Sequence, residues 1–244
     1  MDLTKYQIPV KIENDGLRET IVAVKFSTEY NLSKIESVVK EYLDGIPHTH
    51  FEKLETRKVD VEIENSPDKD SGFFYSDGQY KVVVKNDQVA FNCVSVYTGW
   101  NKYFKFILGC MEYLGDFIKG NYVVVRYVSS YPDLSLASFL DGNIDYTHLN
   151  NIIKEQIHRI ECNLINENGL SYGVGIIRLF DNVIFQNRKQ SIVDVEIQST
   201  DFSAADNNFE TMIGFINDGH LFEKKLFYSL LTKEFVDSKN PVYA

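Results

Sequence analysis

Residues 122–128 read Tyr122-Val123-Val124-Val125-Arg126-Tyr127-Val128. β-Branched and aromatic side chains suit a pleated surface, so this run predicts a central strand. One residue interrupts it. An arginine amid valines faces solvent, pairs across the sheet with Asp194 or Glu196, or points into a polar cleft.

Upstream, Thr98 opens a helix. Trp100, Tyr103, Phe104, Ile107, Leu108, Met111 and Leu114 recur at helical spacing, and the pattern ends around Gly120. Before it, residues 72–96 read as a three-stranded meander with turns at Ser76-Asp77-Gly78-Gln79 and near Asn86-Asp87, since Asp-Gly readily takes positive φ. Earlier still, residues 20–28 predict a strand. A helix follows from Leu32, with Asn31 and Ser33 as candidate caps, Ser33-x-x-Glu36 fitting a capping box and Gly45 and Pro47 stopping it.

Downstream, residues 129–155 form the least regular stretch, with a short helix near 134–140. Strands are expected near 157–165, 171–180, 183–187 and 191–199. A final helix runs from about Asp206 to Glu234, with Asp218-Gly219 as its soft point. Val59-Asp60-Val61-Glu62-Ile63 and Val193-Asp194-Val195-Glu196-Ile197 are two half-acidic strands of the same pattern. Their contexts differ, which favours chance over duplication. A looser repeat, a meander closed by a helix in each half, stays open.

The expected fold class is therefore α+β: curled antiparallel sheets packed against long amphipathic helices. Two halves, 1–132 and 133–244, are expected to pack as one compact unit and can be pseudo-repeats.

Charge narrows the function. The chain of 244 residues has 25 Lys and Arg against 35 Asp and Glu, a formal charge of -10. Direct nucleic-acid binding needs a basic surface, and the basic spots here (Lys102 and Lys105, Arg188 and Lys189, Lys224 and Lys225) are short. Three cysteines, Cys93, Cys110 and Cys162, lack metal spacing and fit a reducing compartment. The Met1-Asp2-Leu3-Thr4-Lys5 start has no hydrophobic signal region, and no apolar run reaches membrane-spanning length, so the cytoplasm is the expected location and no membrane is involved.

Each chemical candidate has a plainer reading. His48, His50 and Glu52 would share a strand face and could hold zinc, but no neighbouring ligand completes the set; an exposed loop after Pro47 is favoured. Asp60/Glu62 and Asp194/Glu196 each place two carboxylates on one strand face, and solvent-facing charges that discourage edge aggregation explain them more simply. Cys93 and Cys110 lie on apolar stripes as small hydrophobes. Gly173-Val174-Gly175 lacks the third glycine and following helix of a phosphate loop and reads as a close backbone approach. His148, His158 and His220 are scattered. Tyr97 and Trp100 either form an aromatic wall or pack at a strand-to-helix junction.

The landmarks also form an order. It runs from the strand Ile21–Phe26 with its helix to Tyr97-Thr98-Gly99-Trp100 opening a helix and then the Arg126-Tyr127 strand. It ends with the acidic strand of Asp194 and a closing helix bearing His220, Phe227, Thr232 and Glu234. This order resembles a sporadically distributed bacterial family of uncharacterised cytoplasmic proteins of about this length. The resemblance implies a compact bacterial protein from defence or mobile-element neighbourhoods and makes Arg126 the first choice for a ligand or partner contact. It brings no catalytic residues.

The expected function is a non-catalytic protein-interaction module, an accessory or inhibitory component of a bacterial defence or toxin-neutralising system. Its partner would be another protein with a basic surface, and a homodimer is compatible. Binding would run through Arg126, Tyr97, Trp100, Asp194 and Glu196. No catalytic residue, metal or cofactor is assigned. The alternatives are a small-ligand domain with a pocket between sheet and helix containing Arg126, and an enzyme whose carboxylates converge only in the fold.

Overall fold

A computed structural model describes residues 8–9, 12–13, 16–26, 31–54, 72–94, 97, 99–115, 117–141, 156–165, 171–185 and 188–243. The strand expected at Val59–Ile63, with Asp60 and Glu62, lies outside them, as does His148. In chain order the elements are β1 (Leu17–Phe26), α1 (Leu32–Asp44), β2 (Glu52–Leu54), β3 (Gly72–Ser76), β4 (Tyr80–Lys85), β5 (Gln88–Cys93) and α2 (Trp100–Leu114). They continue with β6 (Gly120–Pro132), β7 (Gln156–Ile165), β8 (Ser171–Phe185), β9 (Arg188–Ser199), α3 (Asn208–Leu230) and α4 (Lys233–Asp237).

The fold is α+β. Among the described residues the strands join in one antiparallel sheet, in the order β2-β3-β4-β5-β1-β6-β9-β8-β7, where several sheets were expected. The helices are also shorter than the sequence suggests. α1 has 13 residues, α2 15 and α3 23. α2 stops at Leu114 because the next amides fold back, Phe117 N and Ile118 N both donating to the Leu114 carbonyl. Gly120 already belongs to β6. α3 runs through Asp218-Gly219 and ends at Leu230 because Leu231 bridges to Leu140; Thr232 then caps α4, its Oγ1 accepting from Phe235 N at 3.2 Å.

Two compact units interleave along the chain. One holds residues 1–20, 125–200 and 217–244; the other holds 21–124 and 201–216. Where the sequence reading places one boundary at 132/133, the units exchange segments inside β1, β6 and α3.

In the unit holding 21–124, the β3-β4-β5 meander forms as expected, with Gly78 at φ 87 in its first turn. Alternation sends Val82, Val84, Val89, Phe91 and Cys93 to one face, where the Tyr103 hydroxyl donates to the Phe91 carbonyl and the Phe91 and Phe106 rings meet edge to face. α1 buries Ile35, Val39 and Leu43, one residue per turn. Of the two candidate caps it is Asn31 that serves: its Oδ1 accepts from Ser33 N at 2.9 Å and Lys34 N at 3.3 Å. Glu36, released from the capping box, pairs with Lys53 at 2.7 Å and accepts from the Tyr75 hydroxyl.

In the other unit, β8 is one strand where two were expected. Its register slips between Phe180 and Val183, where Asn182 sits at φ 58, so Asp181 and Asn182 oppose Ser191 as a bulge. The 129–155 region contributes a 3-10 turn at Leu136–Ser138, held by Leu136 N donating to Asp181 Oδ1 at 3.2 Å. Phe139 beside it stacks among Tyr131 and Phe235. No helix among the described residues is long and apolar enough to cross a membrane.

Close approach of α1 and α2 rests on Gly109. A Cβ there would lie 2.7 Å from Tyr42 Oη and 2.9 Å from its Cε2, and the Tyr42 hydroxyl is held by the Phe106 carbonyl at 2.9 Å. Alanine gains roughly 1 kcal/mol of helix propensity but overpacks a stiff ring at about 1–3 kcal/mol. We expect Gly109→Ala to destabilise by about 1 kcal/mol, read as a lowered urea midpoint.

Candidate functional site

Among the described residues, a row of ionisable side chains lies on one face of β6, β9, β8 and β7. Period-two alternation builds it: Arg126, Asp194, Glu196 and Arg178 share a face, while Val125, Tyr127, Val193, Val195, Ile197, Ile177 and Leu179 point to the other. On that second face, residues 217–230 of α3 supply the cover. Gly175 permits their approach, since a Cβ there would meet Leu226 Cδ1 and Cys162 Sγ at 2.8 Å.

Arg126 grips Asp194 side-on, Nε donating to Oδ1 at 2.8 Å and Nη2 to Oδ2 at 2.7 Å. Arg178 stands directly opposite Asp194 in the β8–β9 register. Its Nη1 donates to Asp194 Oδ2 at 3.2 Å and to Glu196 Oε2 at 2.8 Å. Gln198 Nε2 donates to the other Glu196 oxygen. The Asp194 side chain is 2% exposed, and that of Arg126 37%. The expectation that these strand carboxylates face solvent is therefore corrected: both are buried and paired, and the cross-strand pairing of Arg126 is the arrangement present.

The electrostatics follow. Burial alone would raise the Glu196 carboxyl, but hydrogen bonds from Arg178 and Gln198 and the charges of Arg178 and Arg126 outweigh it and hold the group below the usual carboxylate range. Arg126 is raised, chiefly by its bonds to Asp194. Arg178 is raised as well; burial opposes the shift, and Glu196 and Asp194 override it. A carboxylate this firmly ionised is a poor proton donor near neutrality.

Next along the row, Arg178 faces Arg159 on β7, a like-charge cross-strand pair. Arg159 turns instead to Glu161 on its own strand, Nε to Oε1 at 2.8 Å, with both side chains more than half exposed.

The other predicted residues lie in the other unit. Tyr97 and Trp100 both meet the Tyr103 ring edge-on, at 6.5 and 6.1 Å, and Trp100 stacks on Phe104. They are packing at the start of α2, and the structure does not bring them into the charged row. A cleft of about 330 Å³ in that unit is lined by Met111, Phe117, Ile118, Phe209 and Met212 with Asn208; it does not contain Arg126.

His48 and His50 are exposed on the loop after α1. Among the described residues no three His, Cys, Asp or Glu side chains are grouped to hold a metal ion. Cys93 and Cys110 are buried free thiols, and burial pushes Cys110 far up, away from thiolate chemistry.

Two residues escaped the sequence reading. Arg178 carries the same signal as Arg126, a lone arginine in the apolar run Ile176-Ile177-Arg178-Leu179-Phe180. His220, which the sequence leaves isolated, is buried on α3 with Nδ1 2.7 Å from the Tyr127 hydroxyl and the rings stacked. Burial, with Lys224 nearby, pushes its pKa down to about 3.

Compared with known proteins, the chain matches no family model and no curated protein.

Two outcomes follow from this geometry. Arg126→Ala leaves Asp194 with Arg178 alone and should lower unfolding free energy by about 1.5–3 kcal/mol. Arg126→Lys should recover little of it, because an ammonium cannot fork; urea titration of both variants tests this. His220 binds its proton more weakly folded than unfolded, so its contribution is full above about pH 6.5 and lost as pH falls toward 3. Between pH 7 and 5 this amounts to roughly 2 kcal/mol, a slope that His220→Gln should flatten.

Proposed function

We propose that the chain is a non-catalytic protein-interaction module, an accessory or inhibitory component whose acidic surface covers a basic partner. One observation carries the reading. The carboxylates that do converge, Asp194 and Glu196, are each bonded to arginine, and Glu196 is held firmly ionised. The cluster is closed upon itself, and Glu196 is held away from proton transfer.

The excess of acidic over basic residues, a formal charge of -10, supplies long-range attraction for a basic surface. Bacterial defence or toxin neutralisation is the setting implied by the resemblance of the strand-and-helix landmarks. The small-ligand alternative finds less support, since the cleft of about 330 Å³ is formed without Arg126.

Recovery of the tagged chain from its host at low ionic strength tests the reading. A basic protein should come with it and dissociate as salt is raised. A chain that emerges alone at every ionic strength, or a partner indifferent to salt, would overturn it.

A further inference from the structure

We infer that the outer edge of β7 joins a second copy of this chain, strand to strand and antiparallel, about a twofold axis through Ile160.

The two ends of the sheet differ. β2 at one end is three residues long, Glu52–Leu54, and all three are exposed. β7 at the other is ten residues long and, among the described residues, pairs only with β8. A long edge offers a row of backbone donors and acceptors, and nothing in residues 158–165 shortens it; proline, which would block pairing, is absent there.

The side chains fix the register. An antiparallel pair of identical strands is related by a twofold perpendicular to the sheet, so each face meets its own counterpart and residues of like parity stand opposite. Centred on Ile160, Arg159 meets Glu161 of the second copy and Glu161 meets its Arg159. Shifting the centre by one residue sets Arg159 against Arg159, or Glu161 against Glu161. Ile160, 39% exposed, meets its own copy on the opposite face.

The same register answers an imbalance within the chain. Arg159 has Arg178 as its cross-strand neighbour on β8. On its other side, where no described strand pairs with β7, the dimer places a carboxylate. Arg159 and Glu161, more than half exposed in one chain, become four charges alternating around the twofold. This dimer needs no other protein, so it stands or falls separately from the basic partner.

Sedimentation across a micromolar to sub-millimolar range should show the purified wild-type chain associating to a dimer. Glu161→Arg places arginines on both flanks of Ile160, and Arg159→Glu places glutamates there. Each variant alone should weaken association by about tenfold or more while keeping the wild-type circular dichroism spectrum. Mixed together, the two should form a heterodimer, because arginines then face glutamates. The double swap Arg159→Glu/Glu161→Arg should restore the homodimer. A wild-type chain that stays monomeric throughout overturns the inference, as do single variants that dimerise unchanged or a mixture that fails to associate.

Discussion

Asp194 is an acidic side chain at 1% exposure, bonded to two arginines, and the charged face is organised around it. A buried carboxylate left alone would cost several kcal/mol, more than most single contacts return. β6 meets that demand from one side with the Arg126 fork, β8 from the other with Arg178. The requirement also pins register. Sliding β8 by one residue against β9 would carry Arg178 to the helix-covered face and leave Asp194 opposite an apolar side chain. Four charges thus specify how three strands align, whatever their net contribution to stability.

The arrangement explains why the face can be both charged and quiet. Catalytic carboxylates are usually pushed apart in pKa so that one gives a proton and the other takes it. Here one guanidinium bridges two carboxylates, and a second closes the row. What such a surface offers is a fixed pattern of partly exposed arginine edges.

Much of the fold was legible because local pattern dictated it. The Asp77-Gly78 turn, the alternation through Val89, Phe91 and Cys93, and the stripe of α2 each follow from side-chain periodicity alone. Burial of Asp194 was not legible. Val193–Ile197 shows which residues share a face, but which strand lies alongside is a property of register, set by residues far away in sequence. Asn31 was legible as a cap of α1, but the capping box failed for a related reason: Glu36 fits it locally, yet Lys53 and Tyr75 claim it from β2 and β3. Arg178 could have been found, since an arginine in an apolar strand asks for a partner. His220 could not, because only the fold brings Tyr127 beneath it.

The interleaving of the two units bears on how the chain matures. β1 must wait for β6, and the units need residues 201–216 and 217–244, which follow β9. At translation rates of about 5–20 residues per second, the early meander can form long before β9 is made, but neither unit can close until its segment after β9 has emerged. The valine-rich β6 therefore spends seconds without β9, its neighbour on one side. That exposure, rather than any weakness in the finished molecule, is where crowding and chaperones would leave their mark.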